Sequence, residues 1–495
     1  MSFNSLVFLI FLVVVLILYY VLPHQYRWIM LLTASYIFYG YWEWTLIFLI
    51  LTTTLVSYFA GIVIHKTAKQ SLKTFFLVLT LVVCLGILLF FKYFNFLSFS
   101  VTSLIRFFGG QTQDFFLDLI LPVGISFYTF QTLSYVIDVY RECIEPEQHF
   151  GYYALFVSFF PQLVAGPIER PENLIPQLKT EQKLQFSNIS QGFKILVAGF
   201  VKKVVIADTL SVYVTSVYNT ESLGQVTGLA VVIATLLFMI QIYCDFSGYS
   251  DIATGCAKML GIDLMVNFNR PFISQTLSEF WSRWHISLSS WFNDYIYLPL
   301  NYGAMRKKHL ELRMHLNLLL LFFISGLWHG ANWTFVVWGI YNGLCQVIGS
   351  LAGKAKRKIF EKYNWKERRN RVLCIIRTTA ILAFGLVLFR SSSLANAGVF
   401  FGKIFIDWSF SLEYLQNTFS LLDMDMVGAI GAILLCVLTF CIDRLIIEPR
   451  GVTKVSEKKA FSIHSSYIYL IWLIAIAWLL LIAQGQSSAF IYFQF

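Results

Sequence analysis

The sequence predicts an all-α polytopic membrane protein, on three observations. Hydrophobic residues fill 58 % of the 495 positions and charged residues only 13 %, whereas soluble globular chains carry roughly a quarter charged residues. Uncharged apolar runs long enough to cross a hydrocarbon core of about 30 Å recur from Phe3–Leu22 to Ile468–Ala483. The 37 Lys and Arg, against 27 Asp and Glu, cluster in short loops between those runs. That clustering reads as a membrane-orientation signal, with lipid as the surrounding medium, and not as a nucleic-acid-binding face.

Taken in order, Phe3–Leu22 is the first helix. Met1-Ser-Phe-Asn-Ser lacks a basic n-region and the run ends at Pro23-His24 without a small-residue cleavage site, so the segment is expected to be retained. Tyr26–Gly40 and Leu46–Ile64 supply two more spans before the basic loop His65–Lys73. The other strongly basic loops are Lys354–Arg371 and Arg450–Lys459, and the positive-inside rule places all three in the cytoplasm. Thr74–Leu97 then leads to an outer loop at Arg106–Asp118, and Ile463–Ala483 delivers the C-terminus outside, as the N-terminus is. Between Arg313 and Lys354 the apolar residues suffice for two helices with basic flanks. A hairpin follows, with Gly326, Gly330 and Asn332 near its turn. No stretch remains for a sizeable soluble domain, so residues 1–495 read as one membrane-embedded unit.

The middle of the chain is less regular. Pro161-Gln-Leu-Val-Ala-Gly-Pro-Ile-Glu-Arg-Pro171 interrupts an aromatic run with three prolines, and Glu279–Asp294 is amphipathic with many polar groups. Polar or non-helical backbone at membrane depth is tolerated only when buried in protein or lining a water-filled cavity. Both segments are expected to wall such a cavity.

His329 lies within the apolar stretch Leu316–Tyr341, where an ionisable side chain is a functional-site hypothesis by default. The other polar candidates are His285 with Arg283, Asn293 and Asp294; Asn332; Asp245, Ser247 and Asp251 in Gln241–Asp251; and Glu169 with Arg170. Each has a structural alternative. A Trp-flanked histidine such as His285 is more often a satisfied interfacial group, and Gly326-x-x-x-Gly330 suits a close helix contact, although that contact does not explain a histidine between the glycines. A neutral imidazole in a low-dielectric cavity can take a proton from a hydroxyl and return it to a leaving group. This chemistry needs no metal, and no ligand cluster is seen: the eight cysteines form no CxxC pair and read as small hydrophobes. No GxSxG marks a nucleophilic serine. Asp245 and Asp251 on one helix would instead suit an ion-coupled transporter, and a noncatalytic scaffold is a further rival.

Five stretches, in order along the chain, resemble the membrane-bound O-acyltransferases: Phe159–Arg170, Gln241–Ile252, Asn267-Phe-Asn-Arg-Pro271, Phe280-Trp-Ser-Arg-Trp-His-Ile-Ser-Leu-Ser-Ser-Trp-Phe292 and Gly326-Leu-Trp-His-Gly-Ala-Asn-Trp333. The likeness is to the bacterial branch that acetylates alginate and other envelope polysaccharides and that also includes the teichoic-acid D-alanylation protein. It implies about a dozen tilted transmembrane and re-entrant helices, with a family core over about residues 120–390 and an outward funnel meeting a cytoplasmic tunnel at the catalytic histidine. His329 matches that histidine, and His285 the second one, which positions substrate or supports the first.

By the same resemblance, acetyl-CoA is a co-substrate with no bound cofactor, and the acyl group passes to a periplasmic or extracellular esterase-like partner of SGNH/GDSL type and so to a glycan. The location implied is the bacterial cytoplasmic membrane. Trp328, Asn332 and Trp333 are candidate oxyanion donors, and Arg283, Asp294, Asp245 and Ser247 candidates for tunnel or substrate support. Phe490-Ile-Tyr-Phe-Gln-Phe495, within the C-terminal segment 463–495, resembles a tyrosine motif in which Tyr492 would carry the acyl group, against the alternative of an aromatic interface anchor. A carrier protein bearing D-alanine is the rival donor. Relatives often carry a Gly-Gly turn after Leu300 where this chain has Asn301-Tyr-Gly-Ala, which argues against inferring alginate itself as the substrate.

Overall fold

Every regular element among the described residues is a helix. The computed structural model describes residues 1–164, 166–305, 308–363 and 371–444, with the backbone alone for 354–363. These fall into two units, Met1–Phe200 with Tyr249–Met265, and Val201–Gly248 with the described part of Val266–His464.

In the first unit the chain forms α1 (Leu6–Val21), α2 (His24–Gly40), α3 (Ile47–Lys66), α4 (Gln70–Leu88), α5 (Phe94–Phe107), α6 (Ile125–Tyr140), α7 (Phe150–Ser158), α8 (Phe160–Leu163), α9 (Pro171–Lys179) and α10 (Phe186–Phe200). Ser5 caps α1 by accepting from the Phe8 N–H, and Leu22, the residue before a proline, turns extended and ends the helix. A π-helical turn, Leu89–Tyr93, joins α4 to α5 in one run of 38 residues. The proline-rich segment becomes α8 and then an extended Arg170, with Pro171 opening α9, where its missing N–H has no helical partner to lose. Buried Glu169 accepts from Asn173 Nδ2 at 2.6 Å and from the Met265 N–H, tying the segment to Tyr249–Met265.

The second unit contains α11 (Asp208–Tyr218), the part of α12 (Gly228–Met259) up to Gly248, α13 (Leu277–Trp281), α14 (Ile286–Phe292), α15 (Leu298–Ala304), α16 (Leu310–His329), α17 (Trp333–Tyr363), α18 (Arg371–Arg390), α19 (Leu394–Ile406), α20 (Leu412–Leu421) and α21 (Met426–Ile442). Buried charge here is paired, as a low-dielectric interior requires. Lys203 meets Asp208 at 2.9 Å and Asp245 at 2.5 Å, and Lys202 meets Asp443 at 2.9 Å, which also accepts from the Tyr243 hydroxyl at 2.7 Å.

Among the described residues six helices are long and apolar enough to cross a membrane, and α20 with α21 make a further pair bent by 66°. The first expected span, Phe3–Leu22, is shortened to α1, whereas the second, Tyr26–Gly40, is extended by two residues at its start in α2. At 16 and 17 residues, α1 and α2 reach about 24–26 Å, just under a hydrocarbon core of about 30 Å. The expected hairpin is α16 and α17. A Cβ on Gly326 would stand 3.1 Å from the Gly339 Cα and closer still to the Phe335 carbonyl oxygen. Gly326 therefore makes the close helix contact, whereas Gly330 lies past the end of α16 with Phe335 against it. The last expected span, Ile463–Ala483, lies outside the described residues.

Candidate active site

His329 is the final residue of α16, buried to 4 % exposure, where the carbonyl end of the helix favours positive charge building on the ring during proton transfer. Three aromatic rings hold the imidazole: Trp328 at 5.0 Å, Trp338 at 5.0 Å and Phe389 at 5.3 Å between centroids, all edge-on. The ring lines two cavities. One, of about 40 Å³, is walled chiefly by apolar side chains including Met239, Leu386, Trp338 and Phe389. The other, of about 1240 Å³, runs along α13, α14, α16, α17 and α18 and includes Ser289, Asn293, Ser325 and Arg377 in its walls.

His285 lines the larger cavity too. It occupies the break between α13 and α14 in the left-handed region, φ 44° and ψ 55°, a conformation a non-glycine residue keeps only when its surroundings enforce it. Asn267 does so. Its backbone carbonyl accepts from the Ile286 N–H at 2.8 Å, and its Oδ1 accepts from the Ser287 N–H at 3.3 Å and the Ser287 hydroxyl at 2.9 Å. A backbone N–H only donates, so the atom facing His285 Nδ1 at 3.0 Å is the amide oxygen, and Nδ1 must carry the proton. Burial, and after it the neighbouring His329, hold His285 well below the usual imidazole range. The ring is thus neutral, with Nε2 an acceptor. Phe246 packs edge-on at 4.5 Å, and Trp328 stands 5.7 Å from His285 on the way to His329.

The remaining candidates lie elsewhere. Arg283 pairs with Glu279 at 3.1 Å and donates to the Asn269 carbonyl at 3.2 Å. Asp294 accepts from Asn293 Nδ2 at 3.1 Å in a π-helical turn, and Asn293, not Asp294, lines the cavity. Asn332 caps α17, its Oδ1 taking the Thr334 N–H at 3.0 Å and its Nδ2 donating to the Ser392 carbonyl at 3.0 Å. Asp245 is engaged by Lys203, and Ser247 is buried in α12; neither lines either cavity. Glu169 belongs to the first unit. Of the two segments expected to wall a cavity, Glu279–Asp294 lines this one and Pro161–Pro171 does not. Tyr492 lies outside the described residues. Among the described residues no three His, Cys, Asp or Glu side chains gather as metal ligands.

Three contributors escaped the sequence reading. Asn267 stood in a quoted motif without a role. Trp281 lines both cavities, and Arg377 lines the larger. For Arg377 the signal was present, a cation inside an apolar span, the same criterion that singled out His329.

Residues 43–393 match the membrane-bound O-acyltransferase family. The chain belongs to that family. Such a protein is an enzyme, an O-acyltransferase, which sets aside the transporter and scaffold alternatives. The acyltransferase is 37 % identical over 421 residues to the probable alginate O-acetylase AlgI of Pseudomonas aeruginosa, covering 84 % of this chain and 77 % of that protein. It is 34 % identical over 396 residues to the peptidoglycan O-acetyltransferase of Helicobacter pylori, covering 74 % and 71 %. The teichoic acid D-alanyltransferase of Bacillus subtilis is 28 % identical over 283 residues, covering 55 % and 69 %.

Proposed function

We propose that this acyltransferase moves an acetyl group from cytoplasmic acetyl-CoA across the bacterial cytoplasmic membrane for O-acetylation of an envelope or secreted polysaccharide, with His329 as the base. The observation that carries this reading is the placement of one buried imidazole between a small, mostly apolar pocket and a large cavity. About 40 Å³ suits the methyl of a two-carbon acyl group, since a cavity of about 150 Å³ is needed for a ring the size of benzene. Arg377 stands twelve residues before Phe389 on α18, about 18 Å at about 1.5 Å per residue, which is the scale of an extended pantetheine arm. A thioester at His329 would leave its phosphate end near that cation.

His329 takes the proton of the attacking hydroxyl as its oxygen bonds to the thioester carbon, and gives it to the departing thiolate. The hydroxyl belongs either to Tyr492, which then passes the acetyl group on, or to the acceptor directly. An esterase-like partner outside the membrane hands the group to the glycan. The termini lie on the external side, and the basic loops face the donor. Similarity to two O-acetylating relatives over most of the chain favours acetyl transfer over D-alanyl transfer, for which the similarity is lower and covers less of the chain.

The test uses the full chain in proteoliposomes with labelled acetyl-CoA. His329→Ala should abolish label transfer to a glycan or to protein while the melting temperature holds. Retained transfer would sink the assignment. Label on Tyr492, lost in Tyr492→Phe together with turnover, selects the carrier route; undiminished turnover in Tyr492→Phe selects the direct one.

A further inference from the structure

Attack on a thioester places negative charge on the carbonyl oxygen, and stabilising it takes a donor fixed in the cavity wall. The obvious donors near His329 are committed elsewhere. Asn332 donates one amide N–H to the Ser392 carbonyl and lines neither cavity. His285 spends its one N–H on Asn267, so its other ring nitrogen accepts and cannot donate. Trp333 is 48 % exposed, and neither it nor Trp328 lines either cavity.

Trp281 differs on each count. It is the last residue of α13 and lines both cavities that His329 lines. Its Nε1–H is buried and meets no acceptor among the described residues. A buried indole N–H almost always finds a partner, so one left over in a side chain that lines both cavities points to a ligand atom. The ring is also fixed, edge-on to Phe280 at 5.2 Å, to Phe322 at 5.4 Å and to Trp338 at 6.0 Å, and Trp338 in turn packs on His329. A donor that needs no reorganisation at the moment of reaction is what preorganised stabilisation requires.

We propose that the Trp281 Nε1–H hydrogen-bonds the thioester carbonyl oxygen and stabilises the oxyanion formed there, which makes Trp281 a catalytic residue. This rests on the acyl-transfer reading given above. As the hydroxyl oxygen bonds to the carbonyl carbon, its proton goes to His329 and the carbonyl π pair moves onto the oxygen facing Trp281. When that pair returns, the C–S bond breaks and the thiolate takes the proton from His329, leaving an ester and a free thiol.

The deciding experiment replaces Trp281 by Phe and, through unnatural amino-acid incorporation, by benzothienylalanine, which keeps the fused-ring shape and lacks only the N–H. Steady-state transfer from acetyl-CoA is measured with the full chain in proteoliposomes. The isostere should lower kcat by about 10²- to 10³-fold, the range for loss of one oxyanion donor, with KM changed less than about threefold and an unaltered melting temperature. Wild-type kcat in the isostere overturns the proposal, as does a raised KM with kcat unchanged. If Trp281→Phe fails to fold, the isostere alone decides. His329→Ala run in parallel separates the two readings: transfer retained there removes the acyl-transfer mechanism, whereas an inactive His329→Ala beside an active isostere removes only the role of Trp281.

Discussion

His285 Nδ1 and Asn267 Oδ1 stand 3.0 Å apart, and because the same oxygen also takes a backbone N–H, the pair fixes which ring nitrogen holds the proton. Asn267 is a positioning residue on this geometry. Asn267→Ala should lower kcat by about tenfold or more while having no further effect in a His285→Ala background, as coupled residues behave. Asn267→Asp keeps the acceptor and places a carboxylate on Nδ1–H, which favours imidazolium. The acid limb of the pH–rate profile should then move upward. The titratable group facing His285 is His329, while nearby Asp245 and Arg283 are paired to Lys203 and Glu279. Additive losses in the double variant would contradict this role.

Arg377 offers a single test of donor geometry. Arg377→Gln should raise KM for acetyl-CoA by about tenfold, about 1.4 kcal/mol of uniform binding, and leave kcat nearly unchanged. Pantetheine thioesters, which lack the phosphate, should not distinguish the variant from wild type. Equal loss with both donors would show that Arg377 acts on the cavity wall and not on phosphate.

Gly339 should tolerate no side chain. A Cβ there would stand 3.1 Å from the Gly326 Cα and nearer to the Phe322 carbonyl oxygen, both backbone atoms. Gly339→Ala should cost about 1–3 kcal/mol, as overpacking does, and lower activity as well by shifting the α16 end that bears His329. Thermal melting and turnover should fall together.

Glu169 predicts a pH dependence of stability in the first unit. Burial raises its carboxyl from 4.5 to about 7, against the opposing hydrogen bonds from Met265 and Asn173. A folded state that holds the proton more tightly than the unfolded chain is stabilised at low pH, and this contribution is lost between pH about 4.5 and about 7, up to about 3 kcal/mol in all. Glu169→Gln should flatten that part of the melting-temperature profile. A profile identical to wild type would mean the carboxyl titrates normally.

The membrane class, the α16–α17 hairpin and the candidacy of His329 were legible because each follows from a local rule, hydropathy, basic flanks or the penalty on a buried ionisable group, whereas His285 stood out only through the family resemblance. What could not be read was partnership. Asp245 resembled a coupling-ion ligand until Lys203, 42 positions earlier, was seen to occupy it, and Asn332 resembled an oxyanion donor although its sequence position beside Trp333 also suits a helix cap. Trp281 stood in a quoted stretch without a role, because the sequence contains 13 tryptophans and only packing shows which indole N–H lacks an acceptor.

The uninterrupted course of α16 from Leu310 to its terminal His329 makes the imidazole's depth and azimuth a matter of counting. Deleting one residue between Gly326 and His329 would turn the imidazole by about 100° and retract it by about 1.5 Å relative to the Gly326–Gly339 contact. The lipid side of this helix is free to drift in spelling, but its length between the glycine contact and the histidine is not.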